Sequence, residues 1–196
     1  MASKSSLPPE FDRVAVTTVH QGDCRVSRDD VTFSTILGSC VSACVRDREA
    51  GVGGMNHFLL AEQSNSSAAN GGASARYGAF AMEQLINNVL KLGTGRKDAL
   101  EIKVFGGGNI NAAMNDVGAR NIEFVREFLA TEGFAIDGED LGGTFARRVL
   151  YKPTTGRVFI NRLDSLSGGK VVSEELAFAV RQTRAAKPDD TDIELF

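Results

Sequence analysis

Two segments of this chain carry apolar residues at helical spacing, and its other apolar runs are short, strand-like and punctuated by glycine. In Arg76–Leu92, Met82, Leu85, Ile86 and Val89 recur at i, i+3, i+4, i+7, and Gly93 follows as a stop. In Val117–Thr131 the apolar stripe is Phe124, Val125, Phe128 and Leu129, with Gly133 behind it. Strands are expected at Arg13–Val19, Val31–Leu37, Cys40–Val45, Val52–Leu60, Leu100–Phe105, Phe134–Leu141, Arg147–Tyr151 and Arg157–Leu163. Many strands around two helices imply a mixed α/β (α+β type) sandwich rather than a regular βαβ repeat. Ala61–Ala75 is small, polar and low in complexity, which predicts a long loop of the functional or mobile kind.

Composition narrows the function classes. The 196 residues carry 22 Lys+Arg against 25 Asp+Glu, a net charge of −3, which leaves no electrostatic footprint for nucleic acid. About 27% Leu, Ile, Val and Phe lies clear of the ~20% that marks disorder. The longest uncharged run, Val31–Val45, is too short for the ~20 apolar residues of a membrane span, so no membrane insertion is expected. Met1–Glu10 lacks an apolar signal core, and the three cysteines are an odd number. They read as thiols in a reducing, cytoplasmic compartment.

The chemistry concentrates in one hairpin. Cys40–Val45 and Val52–Leu60 flank the charged turn Asp47–Gly51. A register that sets Cys40 directly opposite His57 puts thiol and imidazole on one face with Cβ atoms ~4.5–5.5 Å apart. A neighbouring histidine favours the thiolate and can protonate a leaving group. Gly38 and Ser39 precede Cys40, and a glycine there permits a tight bend whose backbone N–H groups can hold an oxyanion. Ser34 or Thr35, just upstream, can orient the second ring nitrogen, the third role in triad logic. Against this stands the plain alternative that a thiol in an apolar strand is an inert core residue.

Three other constellations are weaker. His20, Cys24, Cys40 and Cys44 have zinc-like gaps, but four residues along a strand separate Cys40 from Cys44 by ~13 Å, too far for one metal. The same distance excludes a 40–44 disulfide. Gly106–Gly108 follows a strand, yet no Lys-Ser/Thr follows it and the dinucleotide pattern fails at Asn111, so a tight turn lining a pocket is expected. Glu139 and Asp140, ahead of Gly142 and Gly143, read as a solvated turn. No cofactor and no metal are expected.

Ile36-Leu37-Gly38-Ser39-Cys40-Val41, followed by Gly53-Gly54-Met55-Asn56-His57-Phe58-Leu59-Leu60, resembles the CheD family of chemoreceptor glutamine deamidases. The likeness continues through Arg76-Tyr77-Gly78, Ala81-Met82-Glu83, Lys103–Gly108, Gly118-Ala119-Arg120-Asn121, Glu139–Gly143, Arg147-Arg148-Val149 and Thr155-Gly156-Arg157-Val158. It covers roughly residues 13–163 in consistent order. The resemblance implies a three-layer sandwich with mixed sheets flanked by two main helices, similar to bacterial toxin deamidases. It implies Cys40 as nucleophile, His57 as base and acid, and a third residue at Thr35 (or Ser34). Gly38, Ser39, Asn56, Gly106 and Gly107 are the oxyanion and pocket candidates. The implied substrates are glutamines on the cytoplasmic domain of methyl-accepting chemotaxis receptors. Some relatives also bind a CheC-type phosphatase of CheY-phosphate, which adds a second partner class.

The chain then divides into an N-terminal extension (1–12), a deamidase domain (13–163) and a C-terminal tail (164–196). Ser173–Arg184 is expected as a short helix in that tail, and Ile193–Phe196 as a frayed end or a docking tip. The alternative function is a non-catalytic binding module regulating the phosphatase or the receptor, with Cys40 merely structural.

Overall fold

The computed structural model describes residues 7–11, 14–60, 73–110 and 117–163. The expectations for residues 61–72, for Ser173–Arg184 and for Ile193–Phe196 lie outside those residues. Among the described residues nine strands form two mixed sheets. The first sheet runs β1 (Ala15–Thr18), β3 (Val31–Leu37), β8 (Arg147–Tyr151), β9 (Val158–Arg162), with β1 and β3 parallel and the other pairs antiparallel. The second runs β2 (Cys24–Ser27), β5 (Val52–Asn56), β4 (Val41–Asp47), β6 (Leu100–Gly106), β7 (Gly138–Leu141), with only β6 and β7 parallel. Helices α1 (Ala73–Leu92) and α2 (Val117–Thr131) form the third layer, both against the second sheet. The mixed three-layer sandwich is the expected class.

Alternation along β4 explains why it is central. Val41, Ala43 and Val45 face the helices, in one core with Met82, Leu85, Ile86 and Val89 of α1 and Val125 and Leu129 of α2. Cys44, and Cys40 just before the strand, face the first sheet, in a second core with Phe33, Leu37, Val149 and Tyr151. β4 is thus covered on both faces. Truncating Leu85, fully buried in the helix-side core, should cost about 2–5 kcal/mol.

The β4–β5 hairpin turn is built on Asp47, which is fully buried. Its carboxylate accepts from the N–H groups of Glu49 (3.0 Å) and Ala50 (2.9 Å), and from both the N–H and the hydroxyl of Thr94 (2.7 Å each). One side chain therefore closes the turn and ties it to the chain leaving α1. Burial alone would raise this carboxyl, but the Thr94, Ala50 and Glu49 bonds outweigh it and hold it below the usual carboxylate value.

Four differences from the sequence expectation exceed two residues. α1 begins at Ala73, so Ala73–Ala75 are helical rather than loop. Cys24–Ser27, not expected as a strand, pairs with β5. The run from Phe134 is strand only from Gly138, because Phe134 and Ile136 turn into the helix-side core. β5 ends at Asn56, with a single bridge from Val41 to Phe58 beyond it.

Candidate active site between the sheets

The register of the hairpin is shifted from the expected one. Cys44 pairs with Met55 and Val45 with Gly54, and the same register reaches the bridge of Val41 with Phe58. Ser42 therefore stands at the position of His57, and Cys40 at that of Leu59. The shift is two residues, so the faces are unchanged. Cys40 and His57 are diagonal neighbours on the inter-sheet face, a relation with Cα atoms about 7–8 Å apart.

His57 is held at both its backbone and its ring. Its N–H donates to Asp23 O at 3.1 Å, and its carbonyl accepts from Gly22 N–H at 2.7 Å, so the turn between β1 and β2 carries it. Gly22 has φ 89°, a left-handed conformation suited to glycine. On the ring, Nδ1 lies 2.8 Å from Thr35 Oγ1. That hydroxyl lies 2.8 Å from the carbonyl of Val19, to which it donates. A threonine hydroxyl has one proton, and the carbonyl has none to give. The proton on the Thr35–His57 contact therefore belongs to the ring: Nδ1 carries hydrogen, and in the neutral ring Nε2 is the basic nitrogen.

Alternation along β3 decides between the two candidate hydroxyl residues. Phe33, Thr35 and Leu37 are buried toward the second sheet, whereas Ser34 is half-buried, with its carbonyl taking the Val19 N–H at 2.8 Å. Thr35, and not Ser34, meets the ring. Cys40 is 0% exposed, Thr35 2% and His57 6%, so all three are buried between the sheets.

The turn Gly38-Ser39-Cys40 is fixed through its carbonyls. Gly108 N–H donates to Gly38 O and Gly107 N–H to Cys40 O, each at 2.7 Å. Asn121 Nδ2 donates to Ser39 O at 2.9 Å. Gly106, at φ 110°, must be glycine: a Cβ there would collide with the carbonyl oxygen of Cys40. The glycine run is thus the wall against which the cysteine turn rests, and Gly106 and Gly107 meet the Cys40 backbone.

Asn56 is not brought to this group. It lies one residue from His57 and so on the opposite face. There its carboxamide accepts from Ala43 N–H at 2.8 Å and donates to Ala81 O of α1 at 3.0 Å. This corrects its assignment to the pocket: Asn56 completes the interrupted β4–β5 ladder and ties it to the helix. Glu139 and Asp140 are also not a solvated turn. They lie in β7, Glu139 2.7 Å from Arg126 and Asp140 paired with the fully buried Arg147.

The remaining thiols are poor nucleophiles. Burial pushes the Cys44 thiol far up, only partly opposed by Lys103. Burial pushes Cys24 up to about 11, opposed by a hydrogen bond with Asn88 and by Arg25. The conceived zinc set is split by the sheet, since Cys24 packs toward the helix-side core and Cys40 and Cys44 toward the other. Among the described residues no three His, Cys, Asp or Glu side chains gather as metal ligands.

The sequence reading missed three contributors: the Val19 carbonyl, the 20–23 turn and Asn121. The first two act through main-chain atoms. Asn121 stood within one of the family-like blocks, which was its one visible signal.

The family model described as "CheD chemotactic sensory transduction" matches residues 59–162. A probable chemoreceptor glutamine deamidase CheD of Hahella chejuensis is 43% identical over 173 residues, 88% of this chain and 82% of that protein. One from Ruegeria sp. is 46% identical over 177 residues, 90% of each chain, and one from Herminiimonas arsenicoxydans 47% over 174, 87% and 84%. Among solved structures, a Neisseria meningitidis protein of family-model DUF152 aligns at TM-score 0.37 and 12% identity, over 67% of this chain and 63% of that one. Likeness at that level says nothing about function. Among the described residues no helix is long and apolar enough to cross a membrane. With such identity over nearly the whole of both chains, this chain belongs to the CheD family.

Proposed function

We propose that this chain is a protein-glutamine deamidase that converts glutamines of methyl-accepting chemotaxis receptors to glutamate through a Cys40–His57 thioester mechanism. The observation that carries the reading is the proton order of Val19, Thr35 and His57. It leaves Nε2 as the basic nitrogen of a ring that shares its face with Cys40. The names of the relatives support the substrate class.

The steps follow from that order. His57 Nε2 takes the Cys40 proton, and the thiolate sulfur bonds to the carboxamide carbon of a receptor glutamine. The carbonyl π pair moves onto oxygen, and backbone N–H groups of Ser39 and Cys40 hold the resulting oxyanion. The tetrahedral centre collapses, the C–N bond breaks, and His57 Nε2–H protonates the departing nitrogen, which leaves as ammonia. Cys40 is now a thioester. His57 next takes a proton from water as its oxygen attacks the thioester carbon. The C–S bond breaks, the departing sulfur takes the proton held on His57 Nε2, and glutamate and the Cys40 thiol are released. Thr35 accepts from Nδ1–H throughout, including while the ring is charged. No step draws on a cofactor.

A CheC-type phosphatase, which the sequence resemblance implies for some relatives, is proposed as a further partner, and a receptor's cytoplasmic domain as substrate supports a cytoplasmic location. The alternative, a binding module in which Cys40 is structural, has one observation on its side: Cys40 shows no exposed surface. Cys40→Ala separates the two. Incubated with a receptor cytoplasmic fragment, the native chain should replace carboxamide by carboxylate, read by peptide mass spectrometry, and Cys40→Ala should leave every glutamine unchanged with the melting temperature retained. Conversion by Cys40→Ala would remove Cys40 from the mechanism.

A further inference from the structure

Each peptide plane around Cys40 is held by its carbonyl, and the middle one is held by a side chain. In a trans peptide the C=O of one residue and the N–H of the next point in opposite directions across a single plane. Gly107 N–H on Cys40 O thus directs the Val41 N–H, which donates to Phe58 O at 3.0 Å. Gly108 N–H on Gly38 O directs the Ser39 N–H in the same way. The plane between Ser39 and Cys40 is set by Asn121, whose Nδ2 donates to Ser39 O at 2.9 Å.

Asn121 is itself held at both ends of its carboxamide. It is 0% exposed, and its Oδ1 accepts from Leu60 N–H at 2.9 Å, three residues past His57. The helix that carries it sits hard against the glycine run: a Cβ on Gly118 would lie 2.6 Å from Gly107 O. One carboxamide therefore spans the segment that carries the thiol and the segment that follows the imidazole, with its backbone at a fixed distance from both.

We propose that Asn121 is the positioning residue for the oxyanion donor. By holding Ser39 O toward α2, it turns the Cys40 N–H away from α2, toward the inter-sheet side where the substrate oxygen gains its charge. It touches neither substrate nor thiol, and it acts through the orientation of one peptide plane. A mere clamp would loosen Cys40, His57 and the turn together. A positioning residue removes one donor's aim and leaves the thiol–imidazole pair intact.

This inference rests on the deamidase reading, and its test keeps the two apart. In the full-length chain, Asn121→Asp keeps the acceptor for Leu60 N–H but presents an oxygen to Ser39 O. With a receptor cytoplasmic fragment as substrate, kcat should fall roughly 10–100-fold with KM within about twofold, the scale of a weakened oxyanion donor. Alkylation of Cys40 by iodoacetamide, followed by peptide mapping, forms no oxyanion and should stay within about twofold of the native rate. Asn121→Ser, too short to span both partners, should show the same split. The assignment is overturned if deamidation and alkylation fall together, if neither falls, or if both variants lose cooperative unfolding. A failure of the deamidase reading looks different: the native chain leaves receptor glutamines unchanged, or Cys40→Ala still converts them.

Discussion

Replacing Thr35 by valine removes one oxygen and little volume, and it tests the proton order on which the mechanism depends. Two groups lose their partner at once: Nδ1–H of His57 and the carbonyl of Val19, each 2.8 Å from the hydroxyl in the native chain. Both lie in the buried space between the sheets, and an orphaned buried polar group costs about 1–3 kcal/mol. The catalytic loss is counted separately. In the proposed mechanism His57 holds a positive charge during each turnover, and a hydrogen bond to a charged group contributes about 1.5–3 kcal/mol. At 1.4 kcal/mol per decade this is a fall in kcat of roughly 10–150-fold. It is smaller than the ~10⁴ lost when the orienting partner is a carboxylate, because threonine is neutral. Thr35→Ser keeps the oxygen and drops one methyl, so its rate should stay within about threefold while stability falls by about 1 kcal/mol. The assay is initial ammonia release with a receptor fragment, alongside thermal unfolding. A native kcat in Thr35→Val, or an equal loss in Thr35→Ser, would refute the assignment of Thr35 to the ring.

Two further outcomes follow from burial and charge. Asp47 is a carboxylate held below its ordinary value, so the stability it contributes is present above the unfolded value near ~4 and is lost as pH falls through the lower folded one. Asp47→Ala should cost about 3 kcal/mol at neutral pH and flatten the loss of melting temperature below about pH 4; an unchanged acid limb in the variant would show that this turn does not govern it. Native Cys44 should resist iodoacetamide at pH 8 while the unfolded chain reacts, because burial holds its thiol protonated; rapid native modification mapped to Cys44 would contradict the packing of the inter-sheet core.

The boundary between what could be read from residues and what could not runs along a physical line. Helix α2 was legible because its stripe repeats with the helical period, and β4 because its side chains alternate. The same parity made the face shared by Cys40 and His57 legible even though the pairing was misplaced by two residues, since only an odd slip reverses a face. Parity also rules Asn56 out of the site, as one residue from His57 means the opposite face. β2, Cys24-Arg25-Val26-Ser27, offered too short a pattern to announce a strand, and it is seen through its pairing with β5. What no pattern of side chains encodes is a role for the main chain. The Val19 carbonyl fixes the tautomer of His57, and the Ser39 carbonyl is where Asn121 takes hold, yet any residue at either position would present the same oxygen. Substitution at position 19 should therefore be tolerated wherever volume allows, whereas the side chains that read those carbonyls, Thr35 and Asn121, should not be exchangeable for apolar residues of similar size. The residue types of the candidate site are visible in the sequence, and its directionality is a property of the backbone the fold supplies.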